Sequence, residues 1–203
     1  MKIALVAPRA RSCSETAGRL ARDCGVEVLA TCLGPNGAHD YDDPGVFRDG
    51  AVLVRRFRND HGSVPELEKR LEAQVRAGGA APELERRWIE ERGPSSSTLL
   101  EHLEGHRDGF DVVVFLGLES ALTIFGVPRV ARAIAVPCFR GEDAPRAALL
   151  AACARSVSGF VFGSERERRA LSSLVRLDRP HAVVTSSLAD AILDVARRVA
   201  EER

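Results

Sequence analysis

The sequence predicts an α/β domain whose mainly parallel, Rossmann-like sheet is doubly wound, with helices on both faces. Three observations carry this expectation. Phe110 to Glu119 (FDVVVFLGLE) runs apolar without polar alternation, as a strand covered on both faces does. Lys2 to Leu33 reads strand, loop, helix, strand, the opening of a doubly wound unit. The second half of the chain alternates short apolar runs with helical stripes, the order that gives right-handed crossovers between parallel strands. About seven strands follow, in an order near 3-2-1-4-5-6-7 with Asp111–Leu116 fourth.

Taken in order, Lys2–Ala7 (KIALVA) is a strand that Pro8 ends. Ser12 with Glu15 has the spacing of a capping box, and Cys13, Ala17, Leu20 and Cys24 follow at helical intervals until Gly25. Val26–Leu33 is a second strand. Gly34–Gly50, rich in Gly, Pro, Asn and Asp, reads as a surface loop, and Ala51–Phe57 (AVLVRRF) as a third strand. Arg55, Arg56, Arg58, Asp60 and His61 then make a polar rim.

Val64 to His106 is helical in three segments, broken at Gly78-Gly79 and Gly93-Pro94. The charged residues among its apolar positions, Glu83, Glu85, Arg86 and Arg87, read as a solvated face. After the fourth strand come a short helix (Ser120–Val127), a strand (Ala133–Phe139), a helix (Ala147–Val157), a strand (Phe160–Phe162), a helix capped by Ser164-x-x-Glu167 and a strand (His181–Ser186). Leu188, Ala191, Ile192, Val195 and Val199 form the stripe of a terminal helix over 188–203. That helix either completes the covering of its own sheet or presents its stripe to a partner. Residues 1–203 read as a single domain.

Composition narrows the function classes. A chain of 203 residues buries roughly 70% of its unfolded surface, enough for one core. Its 29 basic and 29 acidic residues cancel, so no overall field draws nucleic acid or an anionic membrane. No apolar run reaches the ~20 residues that span a bilayer. Five cysteines, an odd number without C-x-x-C spacing, sit in apolar patterns; buried free thiols and a reducing, cytoplasmic compartment are expected.

In an open parallel sheet, ligands meet the carboxyl ends of the strands. The candidates there are Pro8, Arg9 and Ser12; Gly117 and Glu119; Arg140, Glu142 and Asp143; and Ser164 and Glu165. Glu119 and Glu142 suit hydroxyl donors, and Arg9 and Arg140 an anionic group. Ser12 and Ser164 have a competing role as helix caps, worth about 1 kcal/mol each, and Glu165 as a charge favoured in a helix first turn. The loop Pro8–Ser12 has no glycine, so NAD or FAD held by the usual glycine-rich turn is not expected. No cofactor and no metal site is expected.

Several blocks resemble the N-terminal, acceptor-side half of a GT-B glycosyltransferase, in particular the retaining family 4. These are KIALVAP at the start, VRRF at Val54–Phe57, ERRWIEERGPSSSTLLEHL at Glu85–Leu103, DVVVFLGLESALTIFGVP at Asp111–Pro128 and GFVFGSERERRAL at Gly159–Leu171. The resemblance implies an acceptor cleft facing a second domain, which holds the nucleotide-sugar donor through an Arg-Lys pair and a Glu motif. Lys2 and Lys69 are the only lysines, neither in such a motif, so transfer needs a donor-binding half that these residues do not supply.

The sequence departs from the family in three places. The family's H-D-E-P-like loop corresponds to Phe139–Pro145, without His; its N-T-E helix opening is Gly163-Ser164-Glu165; and its glycine-rich first loop is missing. A non-catalytic binding or assembly protein on the same fold is the alternative, and a flavodoxin-like small-molecule binder a third. The expected partners are a sugar-like or other hydroxyl-bearing acceptor and a donor-binding domain or second chain, or a second copy. The surface nominated for a partner chain or copy includes Val175, Leu177 and the stripe on Leu188–Val199.

Overall fold

The computed structural model describes residues 1–34, 42–60, 65–139 and 147–201. Eight strands among them form one sheet: β1 (Lys2–Arg9), β2 (Gly25–Thr31), β3 (Gly45–Asp49), β4 (Val52–Phe57), β5 (Val112–Leu116), β6 (Ala133–Val136), β7 (Gly159–Phe162) and β8 (His181–Val183). Their order is β3-β4-β2-β1-β5-β6-β7-β8. Every pairing is parallel except β3 with β4. Without β3 this is the expected seven-strand order, with β5 central.

β3 corrects the sequence reading, which placed Gly45–Asp49 inside a loop. The segment turns back at Gly50-Ala51, with Gly50 at φ 57, and pairs antiparallel from Asp49↔Val52 to Gly45↔Arg56. A Gly in the first position of a two-residue loop between two extended runs is a hairpin signal. It escapes a periodicity reading because β3 lies at the sheet edge and buries no apolar face: Val46 and Phe47 are exposed, Phe47 lying under the Arg56 guanidinium at 4.5 Å.

The helices are α1 (Ser14–Leu20), α2 (Pro65–Arg76), α3 (Pro82–Arg92), α4 (Ser97–Gly105), α5 (Ala121–Gly126), α6 (Ala148–Ser156), α7 (Glu165–Ser172) and α8 (Leu188–Glu201). Successive residues of β5 point to opposite faces. Val112 and Val114 pack with Leu20, Ile192 and Val195 of α1 and α8. Val113 and Phe115 pack with Trp88, Leu99, Leu103 and Leu122 of α3, α4 and α5. Both faces are therefore covered, which is why β5 reads as a continuous apolar run.

The terminal helix closes its own sheet. Ala189, Ile192, Val195, Ala196 and Val199 are all buried, and Gly159 of β7 lets α8 approach, since a Cβ there would stand 2.8 Å from Val195 Cγ1. The stripe is thus not presented to a partner. Val175 is buried as well and Leu177 half-buried against the other face, so the residues nominated for a docking surface lie largely inside.

Two local readings also change. Ser12 lies in a 3₁₀ turn (Ala10–Ser12) and donates its hydroxyl to the Arg9 carbonyl at 2.6 Å; Cys13, not Ser12, is the N-cap of α1, without a side-chain cap. The Ser12–Glu15 box is not formed, because the extra turn moves the helix start one residue along. Glu85, expected on the solvated face of α3, is 4% exposed and accepts hydrogen bonds from the Ala148 and Leu149 N–H groups. No helix among the described residues is long and apolar enough to cross a membrane.

Candidate functional site

At the carboxyl ends of β1, β5 and β6 the sheet opens into a cleft of about 670 Å³. Its walls are the loops after β1 and β5, the start of α2, and the end of α3 with Gly93 and Pro94. Five of the nominated residues line it together: Pro8, Arg9, Ser12, Gly117 and Glu119. Arg140, Glu142 and Asp143 lie outside the described residues, as does His61. Ser164 and Glu165 do not line the cleft. Ser164 Oγ accepts the Glu167 N–H at 3.3 Å, the Glu167 carboxylate accepts the Gly163 N–H at 2.8 Å, and Glu165 pairs with Arg168 at 2.8 Å. They serve the first turn of α7, the competing role the sequence offers for them.

The loop after β1 is held from below. Thr31, fully buried on β2, donates its hydroxyl to the Pro8 carbonyl at 2.6 Å, and Ser12 closes on Arg9 in the same way. The Arg9 guanidinium, partly exposed, has no carboxylate partner among the described residues.

The loop after β5 is tied to β6 by two backbone bonds, Gly117 N–H to the Val136 carbonyl and Leu118 N–H to the Pro137 carbonyl, both 2.8 Å. Gly117 takes φ 96, left-handed backbone that a side chain would strain. Its carbonyl accepts the Thr123 hydroxyl at 2.6 Å, and Ser120 caps α5. Glu119 is thereby set into the cleft wall, 5% exposed.

Arg92, the last residue of α3, meets it there. Its Nη2 donates to Glu119 Oε2, while Nη1 stands 3.7 Å from Glu68 and 3.5 Å from Glu72 of α2. The guanidinium also lies 5.2 Å from the ring of fully buried Trp88. A buried ion pair need not add net stability, but removing one partner strands the other charge. One cation thus fixes three carboxylates and joins α2, α3 and the β5 loop at the cleft floor.

The sequence reading missed Arg92, Glu68 and Glu91 as site residues. A signal was present for Arg92: Glu85, Trp88, Ile89 and Arg92 fall at i, i+3, i+4 and i+7 and form the buried face of α3, so helical spacing alone puts two charges among the apolar positions. Cys138 was expected to be a buried thiol. It is exposed at the cleft, with φ 53, while Cys13, Cys32 and Cys153 are buried, Cys24 is half-buried and none of the five is in a disulfide. The Cys138 thiol is held above its ordinary value by partial desolvation and by the Glu167 carboxylate, against a smaller lowering by the Gly117 backbone. It is not an activated nucleophile.

Chemically the cleft offers carboxylates as hydroxyl acceptors, one open guanidinium and an apolar floor of Leu33, Leu116, Val136 and Leu188. Such a mixture fits a polar, hydroxyl-bearing molecule. Among the described residues no group of three or more His, Cys, Asp or Glu side chains could hold a metal ion.

No protein-family model matches the sequence, and no curated protein matches it. Solved structures do. A sucrose-phosphate synthase from Thermosynechococcus elongatus aligns over 97% of this chain and 96% of that one, with 12% identity and a TM-score of 0.56. An alpha,alpha-trehalose-phosphate synthase (UDP-forming) from Burkholderia vietnamiensis aligns with 87% of this chain at 9% identity and a TM-score of 0.45, and an E. coli trehalose-6-phosphate structure bound with UDP-2-fluoro glucose with 90% at 12% and 0.48. The chain spans 43% and 48% of those two. The likeness to the first of these shows the mainly parallel, α/β, Rossmann-like fold of this chain.

Proposed function

We propose that the chain is the acceptor-side domain of a glycosyltransferase, holding a hydroxyl-bearing acceptor while a second half holds the nucleotide-sugar donor. The observation that carries this reading is the cleft at the carboxyl ends of β1, β5 and β6, where Arg9, Gly117 and Glu119 converge. In this fold the carboxyl edge is where ligands bind, and the fold itself is shared with a sucrose-phosphate synthase over nearly its whole matched chain. Fold alone hosts many functions; the resemblance of the blocks at Val54–Phe57 and Glu85–Leu103 to the retaining family 4 narrows the choice to sugar transfer.

In this reading Glu119, held by Arg92, accepts acceptor hydroxyls. Arg9 binds a further polar group, and Arg140, Glu142 and Asp143, which follow β6 in the sequence, are the remaining acceptor-side candidates. A donor-binding domain or second chain faces this edge and supplies the cations that stabilise the departing nucleotide diphosphate. The free cysteines fit a reducing, cytoplasmic setting.

A binding or assembly protein that kept the fold without the chemistry is the second reading, favoured by the absence of His from Phe139–Pro145. Two measurements test the first. Calorimetric titration of this 203-residue chain with UDP-glucose and GDP-mannose should give no heat of binding; tight binding of either contradicts the division of labour. Addition of sugars should shift the backbone amide resonances of Gly93 and Gly117 at the cleft, and a silent cleft across a broad sugar panel favours the second reading.

A further inference from the structure

We infer that two copies of this chain associate edge to edge through β3, pairing antiparallel about Phe47 so that the sheet runs on from one copy into the other. β3 is an edge strand, hydrogen-bonded to β4 alone. Asp49 and Val52 flank the two-residue loop Gly50-Ala51, and from such a turn bonded and non-bonded pairs alternate along an antiparallel ladder. Asp49, Phe47 and Gly45 therefore bond to β4, while Val46 and Arg48 turn their N–H and C=O groups outward. These backbone groups have no partner among the described residues, and such a row is a template for another strand. The side chains on it are apolar where solvent would favour polar ones. Val46 is 53% and Phe47 39% exposed, and with Met1 they are the exposed large hydrophobics of the described residues.

A second copy fits this edge because β3 complements itself in one register. Outward residues must meet outward residues, so a two-fold axis engaging both Val46 and Arg48 passes through Val46, Phe47 or Arg48. Through Val46, it sets Arg48 against Pro44 of the other copy, which has no N–H to give. Through Arg48, it sets like charges directly opposite each other. Through Phe47, Val46 and Arg48 of each copy exchange both bonds with Arg48 and Val46 of the other. Phe47 then meets Phe47 in the non-bonded pair, where side chains come closest. The two Arg48 side chains are left as diagonal neighbours, each with its stem along a Val46. Asp49, without an ion-pair partner among the described residues, comes opposite Gly45 of the other copy. Arg56 is next in that row, with no side chain between carboxylate and guanidinium.

A five-residue edge buries less than the roughly 1,600 Å² of a standard interface, so the dimer is weak, with a Kd of about 10–1,000 μM. Sedimentation of the chain from about 5 μM to about 1 mM brackets that range, and the mass should climb from 22.0 kDa toward twice that value. Val46→Pro removes an N–H that β4 does not use, so thermal unfolding should change little while association weakens about tenfold or more. Phe47→Cys brings two thiols within disulfide reach across the axis. In a Cys138→Ser background, which removes the exposed native thiol, it should cross-link to a dimer under mild oxidation. Arg48→Cys, whose two copies stand diagonally beyond that reach, should not. A monomer at every concentration overturns the inference, as does Arg48→Cys cross-linking as fast as Phe47→Cys. So does an association that a folded Val46→Pro leaves unchanged; if that variant unfolds, the cross-linking pair decides.

Discussion

Glu85 of α3 caps α6 from a distance of 63 residues in sequence: its Oε1 accepts the Ala148 N–H at 2.9 Å. Its Oε2 accepts the Leu149 N–H at 3.0 Å, and the helix's own N-cap, Ala147, supplies no side-chain bond. A buried carboxylate at a helix N-terminus satisfies two orphan donors and meets the positive end of the helix dipole. Glu85→Ala should therefore cost about 2–3 kcal/mol, and Glu85→Gln less, since the amide keeps one acceptor. Urea unfolding of the three proteins measures this; a loss below about 0.5 kcal/mol for Glu85→Ala would show that the contact is incidental.

Arg92→Met is expected to be more damaging. It removes the buried guanidinium that donates to Glu119 and stands beside Glu68 and Glu72, and taking one partner out of a buried ion pair costs about 3–5 kcal/mol. Adding Glu119→Gln to Arg92→Met should recover part of the loss, because the buried carboxylate that Arg92 faced is then uncharged. The double-mutant cycle isolates the coupling, and strict additivity of the two changes would refute it.

His102 on α4 makes the protein acid-sensitive. Burial first, then the neighbouring His106 and Arg55, and more weakly Lys2, lower its pKa to about 4, against a small opposing effect of Glu27. The folded protein keeps His102 neutral where the unfolded chain, with an ordinary value near 6.5, takes up a proton. Stability is thus unaffected by this group above pH ~6.5 and falls as pH drops from there toward ~4, below which the loss is complete. Because the imidazole is only partly buried, the loss is about 1–2 kcal/mol after allowing for solvent screening. Unfolding followed between pH 4 and 7 should show this slope in the native protein and a shallower one in His102→Gln. Equal slopes would exclude His102 as the sensor.

Two glycines should respond to alanine in opposite directions. At Gly159 a Cβ meets Val195 Cγ1 at 2.8 Å and the Pro180 carbonyl at 3.0 Å, so α8 has to move off the sheet, at a cost of about 1–3 kcal/mol. At Gly18, inside α1, a Cβ meets nothing within 4 Å, and alanine should stabilise by about 0.5–1 kcal/mol. Thermal melts of the two variants should move down and up respectively; the same sign for both would contradict the packing described for α8.

Apolar periodicity along the chain determined most of the architecture. Phe110–Glu119 announced a strand buried on both faces, and right-handed crossovers between successive strands then left essentially one order for the parallel part of the sheet. Placing the loops after β1, β5, β6 and β7 on one edge follows from that topology, so Pro8, Arg9, Ser12, Gly117 and Glu119 could be nominated before any contact was known. Local rules read the cap at Ser164 as well, because a cap needs only its own next few residues.

Tertiary structure alone decided which charges are inside and whom they meet. Glu85 and Arg92 sit on the apolar face of α3, but their partners, the α6 N-terminus and Glu119, are 63 and 27 residues away. No local pattern encodes such a meeting; it exists only once the sheet has brought the elements together. The same holds for α8, whose stripe reads identically whether it covers its own sheet or a partner. Only the fit of Val195 and Val199 over Gly159, where no side chain stands between helix and strand, settles that it covers its own.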